Sequence, residues 1–233
     1  MVFTVLLQKK ADVIVELVRT YYPEGCSIAD LTYGTGGFWW RFYEDPLLKN
    51  HYKITGFDAE PSENSKNGDI VIKKNILTDT YDEFGPFDIV TFDPPYLIGR
   101  DSFDYSAAVK DGQLVAHTPL QYQGNRSWGK DRQKYVANQS VEDFNNRVKA
   151  LNEKAPKMMK PDGRLIVNVM DPRWKGDLVP HHFNIWLLLT NFKLIDHLVS
   201  IRQGATTWVV KGHAQNLHGH YLVFRLKKGG AKQ

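Results

Sequence analysis

Only one of the 233 residues is cysteine, Cys26. A single thiol permits no internal disulfide and no cysteine-built zinc site. No apolar run approaches the roughly 18 residues that would mark a membrane-spanning helix. The opening Met1-Val2-Phe3-Thr4-Val5-Leu6-Leu7-Gln8-Lys9-Lys10 places its basic pair after the apolar stretch, the reverse of a secretory signal. Internal repeats and low-complexity tracts are absent, which excludes solenoids, propellers and linker-built chains. What remains, 42% hydrophobic and 24% charged residues, is the balance of a globular protein. At this length one domain, 1–233, buries roughly 70–75% of its unfolded surface without a covalent staple. The chain reads as intracellular, with no membrane contact.

Charge is unevenly placed. Residues 1–96 carry 9 Lys+Arg against 15 Asp+Glu, a balance of −6, and residues 97–233 carry 21 against 11, a balance of +10. A basic second half suits a polyanionic partner. Between 97 and 139 the cations Arg100, Lys110, Arg126, Lys130, Arg132 and Lys134 are interleaved with Phe103, Tyr105, Tyr122, Trp128 and Tyr135. Cations for phosphates and flat rings for unstacked bases are the materials of a nucleic-acid surface.

Apolar runs at 27–31, 53–57, 70–73, 87–92, 164–170, 193–200 and 221–226 read as strands, several apolar throughout and so covered on both faces. Between them lie helical stretches: a leading amphipathic helix over 4–21, one opening at Ser140 with Asp143 as a capping-box partner, and one over 179–191. Lys160-Pro161-Asp162-Gly163 reads as a turn feeding the fifth strand. Such alternation predicts a three-layer α/β domain with a mostly parallel sheet. The segment 97–139 carries no such pattern. At 43 residues it is long for a loop in a compact domain, and it reads as a substrate-recognition insertion.

Two constellations carry chemistry. Strand 27–31 runs into Thr32-Tyr33-Gly34-Thr35-Gly36-Gly37, where Gly34 and Gly36 let the backbone approach a ligand. The next strand ends in Asp58, just over twenty residues beyond, placed to bind the two hydroxyls of a ribose. A G-x-x-x-x-G-K-[ST] phosphate loop is absent, so a nucleoside cofactor without phosphates fits best. The fourth strand delivers its end into Asp93-Pro94-Pro95-Tyr96, a tetrapeptide with a chance occurrence on the order of one in a thousand in such a chain. An exocyclic amine on a nucleobase is a poor nucleophile because its lone pair is delocalised into the ring. The Asp93 carboxylate can accept one of its N–H bonds and the Pro94 carbonyl the other. Pro94 and Pro95 stiffen the turn, and Tyr96 offers a face for an extruded base.

With these motifs the chain resembles the S-adenosylmethionine-dependent DNA amino-methyltransferases that modify adenine N6 or cytosine N4. The likeness covers most of the chain in pieces: Gln8-Lys9, Tyr22-Pro23-Glu24-Gly25 and Asp30 before and in the first strand, the turn 32–37, Asp58, Asp93–Tyr96, and His220-Tyr221-Leu222-Val223-Phe224 as closing strand. It implies a Rossmann-like class I methyltransferase fold, a seven-stranded sheet whose last strand runs antiparallel, with helices on both faces. It implies S-adenosylmethionine as cofactor, its methionine part on Asp30 and the turn Tyr33, Gly34 and Gly36, with Lys9 beside it. The ribose is implied on Asp58, and Asn75 aligns with the acid that reads the adenine. Catalysis is implied at Asp93, Pro94, Pro95 and Tyr96, in a cytoplasmic enzyme of prokaryotic or viral type.

Two positions depart from the pattern: Lys10 stands where a proline is usual, and Asn75 is an amide. No separate recognition domain follows the motif, so DNA contacts are expected from Arg126, Lys130, Arg132 and Lys134 or from the connection 203–219. An Asp before the prolines favours adenine over cytosine. The alternatives are an RNA base methyltransferase, a catalytically silent binding subunit and, least favoured, a small-molecule enzyme. No metal site is expected, because His213, His218 and His220 have no acid or cysteine at ligand spacing. His181 and His182 read as solvated or capping at a helix start, Trp39 and Trp40 as core, and 229–233 as a frayed tail.

Overall fold

The computed structural model describes residues 3–6, 10–61, 71–94, 140–171, 173–174, 177–201 and 218–228, with two-residue stretches at 109–110, 113–114, 209–210 and 213–214. In chain order the main elements are β1 (Phe3–Leu6), α1 (Lys10–Tyr21), β2 (Cys26–Asp30), α2 (Trp40–Glu44), α3 (Pro46–His51), β3 (Tyr52–Asp58) and β4 (Val71–Lys73). After them come β5 (Phe87–Phe92), α4 (Val141–Met158), β6 (Met159–Val169), α5 (His181–Leu188), β7 (Phe192–Ile201) and β8 (His218–Leu226).

The strands form one sheet in the order β1-β7-β8-β6-β5-β2-β3-β4. The seven strands expected from the sequence are all present. β8 runs antiparallel to both of its neighbours, β7 and β6, and every other pairing is parallel. The expected leading helix over 4–21 is corrected: Phe3–Leu6 forms an eighth, edge strand parallel to β7, and the helix begins only at Lys10. Four residues rich in β-branched and apolar side chains gain more from a sheet edge than from extending a helix by one turn.

Alternation along the strands separates two cores. Ile28, Ile89, Ile166, Tyr221 and Val223 face α1 and α2, where Val13, Ile14, Leu17, Val18, Trp39 and Phe42 meet them. Ala29, Val90, Leu165, Val167, Leu222 and Phe224 face the other way, onto Phe144, Val148, Leu151, Ala155 and Met158 of α4 and Ile185 of α5. The α4 residues fall at alternating spacings of four and three, the stripe of a helix lying on a sheet. Its N-terminus is held by the expected capping box, with Ser140 Oγ accepting from Asp143 N at 3.0 Å and Asp143 accepting from Ser140 N at 2.9 Å. The turn at 160–163 proves to be an excursion within β6: Phe87 pairs with Met159, but Ile89 pairs with Arg164. α5 is shorter than the expected 179–191. No helix among the described residues is long and apolar enough to cross a membrane.

Candidate active site

β2 and β5 are neighbours at the centre of the sheet, and the chain leaves them in opposite directions, β2 towards β3 and β4, β5 towards β6. A crevice opens at the carboxyl ends of such a strand pair, the usual ligand position in open α/β sheets. Both sequence constellations arrive there.

Gly34 and Gly36 have φ of 60° and 74°, a left-handed conformation that side chains with a Cβ rarely adopt. Tyr33 N donates to Phe57 O at 3.0 Å and Gly34 N to Asp58 Oδ2 at 2.8 Å, so the turn is sewn to the end of β3. The other Asp58 oxygen accepts from Glu60 N at 2.9 Å. Each oxygen keeps a second lone pair, so Asp58 can hold the turn and still accept from ligand hydroxyls. Asp30, 2% exposed, accepts from Thr32 N at 2.9 Å and from Trp39 Nε1 at 2.6 Å. Burial pushes its carboxyl up to about 6, against the pull of the Trp39 and Thr32 hydrogen bonds, and the Asp93 charge pushes the same way. Trp39 is fully buried as expected, while Trp40 is only half-buried, with the Arg41 guanidinium 3.9 Å from its ring centroid.

Asp93 follows directly on β5. Its amide donates to Thr32 Oγ1 at 2.7 Å, which fastens it to the glycine turn. Lys10 Nζ donates to Asp93 Oδ2, and Asn168 Nδ2 donates to Oδ1 at 2.7 Å. Lys10 opens α1 and Asn168 lies near the end of β6, so three elements converge on one carboxylate. Pro94 is buried. Pro95, Tyr96, Lys9 and the four cations Arg126, Lys130, Arg132 and Lys134 lie outside the described residues. Asn75 stands after β4, where its Oδ1 accepts from Leu77 N at 2.9 Å and its backbone N–H donates to Asp79 Oδ2 at 2.8 Å. That shapes the turn 75–79, beneath which Ile76 is buried.

Sequence reasoning missed Lys10 and Asn168. Asn168 carried a readable signal, an amide inside the apolar run Leu165-Ile166-Val167-Asn168-Val169, because a buried polar group in a central strand demands a partner. The histidine readings are also corrected. His181 is buried and stacked on Phe144 at 3.8 Å, and His182 Nδ1 lies 2.5 Å from Asp171 Oδ2.

Strand order, antiparallel insertion and switch-point turn together define a Rossmann-like class I methyltransferase fold. No protein-family model and no curated protein matches the chain. Among solved structures, the chain resembles the 1,6-didemethyltoxoflavin-N1-methyltransferase of Burkholderia thailandensis, solved with 1,6-didemethyltoxoflavin and S-adenosylhomocysteine bound. The TM-score is 0.52 at 10% identity, over 94% of this chain and 78% of that one. It also resembles the N-methyltransferase NodS of Bradyrhizobium japonicum, with a TM-score of 0.51 at 11% identity over 93% and 94% of the two chains. At such identities the likeness is one of fold.

Proposed function

We propose that this protein is an S-adenosylmethionine-dependent methyltransferase whose acceptor is an exocyclic amine of a nucleobase in DNA, adenine N6 ahead of cytosine N4. One observation carries the reading: a carboxylate followed by proline, Asp93-Pro94, held by Lys10 and Asn168 across the switch point from a glycine turn tied to Asp58. The donor set suits the cofactor. The left-handed turn admits close approach, and Asp58 suits ribose hydroxyls. Bound there, S-adenosylmethionine would supply an activated methyl group on a sulfonium.

The chain's own residues then act on the acceptor. Asp93, oriented by Asn168 and Thr32, accepts an amine N–H and draws the nitrogen lone pair out of the ring. The ammonium of Lys10 balances its charge. Pro94 offers its carbonyl to the second N–H, and Tyr96 a stacking face. The basic second half supports a polyanionic substrate. A second reading, a free nitrogen heterocycle as acceptor, draws on the solved neighbours, both described as N-methyltransferases, one of them with its heterocycle bound.

The deciding experiment incubates the protein with methyl-labelled cofactor and, in parallel, DNA, RNA and free nucleosides, followed by nucleoside analysis. Label on N6-methyldeoxyadenosine from DNA is expected. Asp93→Ala should abolish it with the fold intact, because the lost contact is to the reacting amine. Label confined to RNA guanosine overturns the DNA reading, and label on free nucleosides alone favours the second.

A further inference from the structure

Three residues beyond Asn168, the connection leaving β6 places Asp171 among histidines from three other elements. His182 comes from the start of α5, His220 from β8 and His197 from β7. His182 Nδ1 lies 2.5 Å and His220 Nε2 3.5 Å from the same oxygen, Asp171 Oδ2. The two imidazoles stack nearly parallel, 4.3 Å apart at 11°, and one ligand atom from each of Asp171, His182 and His220 lies within 4.8 Å of the other two. The second Asp171 oxygen accepts from His182 N at 3.1 Å, and His220 Nδ1 meets His197 Nε2 at 2.8 Å.

We propose that Asp171, His182 and His220 form a binding site for a first-row divalent cation, zinc above all, with His197 as the supporting residue behind His220. Two imidazole nitrogens and one carboxylate oxygen are a donor set that zinc takes readily, leaving a fourth position for water. Zinc ligands at about 2.0–2.1 Å from the metal lie about 3.3 Å from one another in a tetrahedron, near the 3.5 Å that separates His220 from Asp171. The His182–Asp171 contact is shorter, and it opens to that separation when the cation displaces a proton from between them.

The surroundings suit that exchange. With the proton carried on Nδ1 and given to His197, His220 presents a lone pair from Nε2, and this partner fixes the ring as metal-ligand histidines require. The side chains of Asp171 and His220 are 4% and 8% exposed and that of His182 is 24%, so His182 is the ligand nearest solvent. The ligands come from three segments, and a bound ion clamps the β6 exit and α5 onto β8.

The test uses the full chain and does not depend on methyl transfer. Zn²⁺ is titrated calorimetrically against a competing chelator, Co²⁺ is followed by its visible absorption, and thermal midpoints are taken with and without Zn²⁺. One Zn²⁺ per chain, a tetrahedral Co²⁺ spectrum and a raised midpoint are expected. His182→Ala and Asp171→Asn should remove all three signals, and His197→Leu should weaken Zn²⁺ binding by about ten- to a hundredfold. His182→Ala changes the most exposed ligand, so a metal-free midpoint equal to the parent's keeps the comparison valid if Asp171→Asn fails to fold. Absence of Zn²⁺ binding by the parent, or binding unchanged in His182→Ala, overturns the proposal.

Discussion

Asp30 is the residue on which burial and charge are most at odds. Its carboxyl titrates at about 6 in the folded chain against an ordinary 3.8. The native state therefore binds the proton more tightly than the unfolded state. Stability from this group is fully present below about pH 4 and is lost as the pH rises through about 6, a fall of at most about 3 kcal/mol. Asp171 acts in the opposite sense, its contribution present above the ordinary carboxyl range and lost only as the pH falls beneath it. Between pH 4 and 6 the slope from this pair belongs to Asp30. Denaturant unfolding at pH 4, 5, 6 and 7 should show the parent losing stability relative to Asp30→Asn as the pH rises. A difference constant across that range would mean that Asp30 does not titrate there.

At the scale of elements, the glycine turn rests on β3. An added Cβ at Gly56 would lie 2.6 Å from the Tyr33 ring, which packs across that strand. Gly56→Ala should cost about 1–3 kcal/mol through overpacking, and it should also weaken cofactor binding by displacing Tyr33 and the turn behind it. Calorimetry showing parental affinity in a destabilised variant would separate the turn from its strand. The elements themselves were largely legible in the sequence. β2, β5 and β6 are buried on both faces, which writes a continuous apolar run, and the glycine and Asp-Pro motifs sit where those runs stop. β1 was not legible, because its partner β7 lies some 190 positions away and its four residues suit a helix start equally well. The same holds for the site: Asp30, Asp58 and Asp93 announce themselves by local context, whereas Lys10 finds Asp93 across 83 positions and Asn168 across 75. Asp171 could have been suspected, since β6, like β5, is followed by Asp-Pro.

For the whole molecule the asymmetry of charge is the property with the clearest solution consequence. Cations on phosphates release counterions, so nucleic-acid affinity should fall steeply with salt. If 97–139 is the grip, replacing Arg126, Lys130, Arg132 and Lys134 together by Ala should lower affinity and shallow the log–log salt slope by as much as about 3.5. Cofactor binding should persist, since Asp58 and the glycine turn belong to other segments. Affinities measured over a salt series decide the matter. Superimposable lines for parent and variant would move the grip elsewhere, most naturally to 203–219.

The sheet order also governs the sequence of events at the ribosome. β1 is the first strand to be made, yet it pairs only with β7, and β8, the last, must insert between β6 and β7. At about 5–20 residues per second, β1 waits roughly 10 to 40 seconds for its neighbour. From the completion of β6 until β8 is made, roughly 3 to 11 seconds at that rate, the flank of β6 is an open edge, able to pair with another nascent chain. That β1 is only four residues long limits the hazard at its own end. Five of the eight strands, from β4 to β6 in sheet order, can form while translation continues. The remaining three close in a single late step, once β8 has emerged.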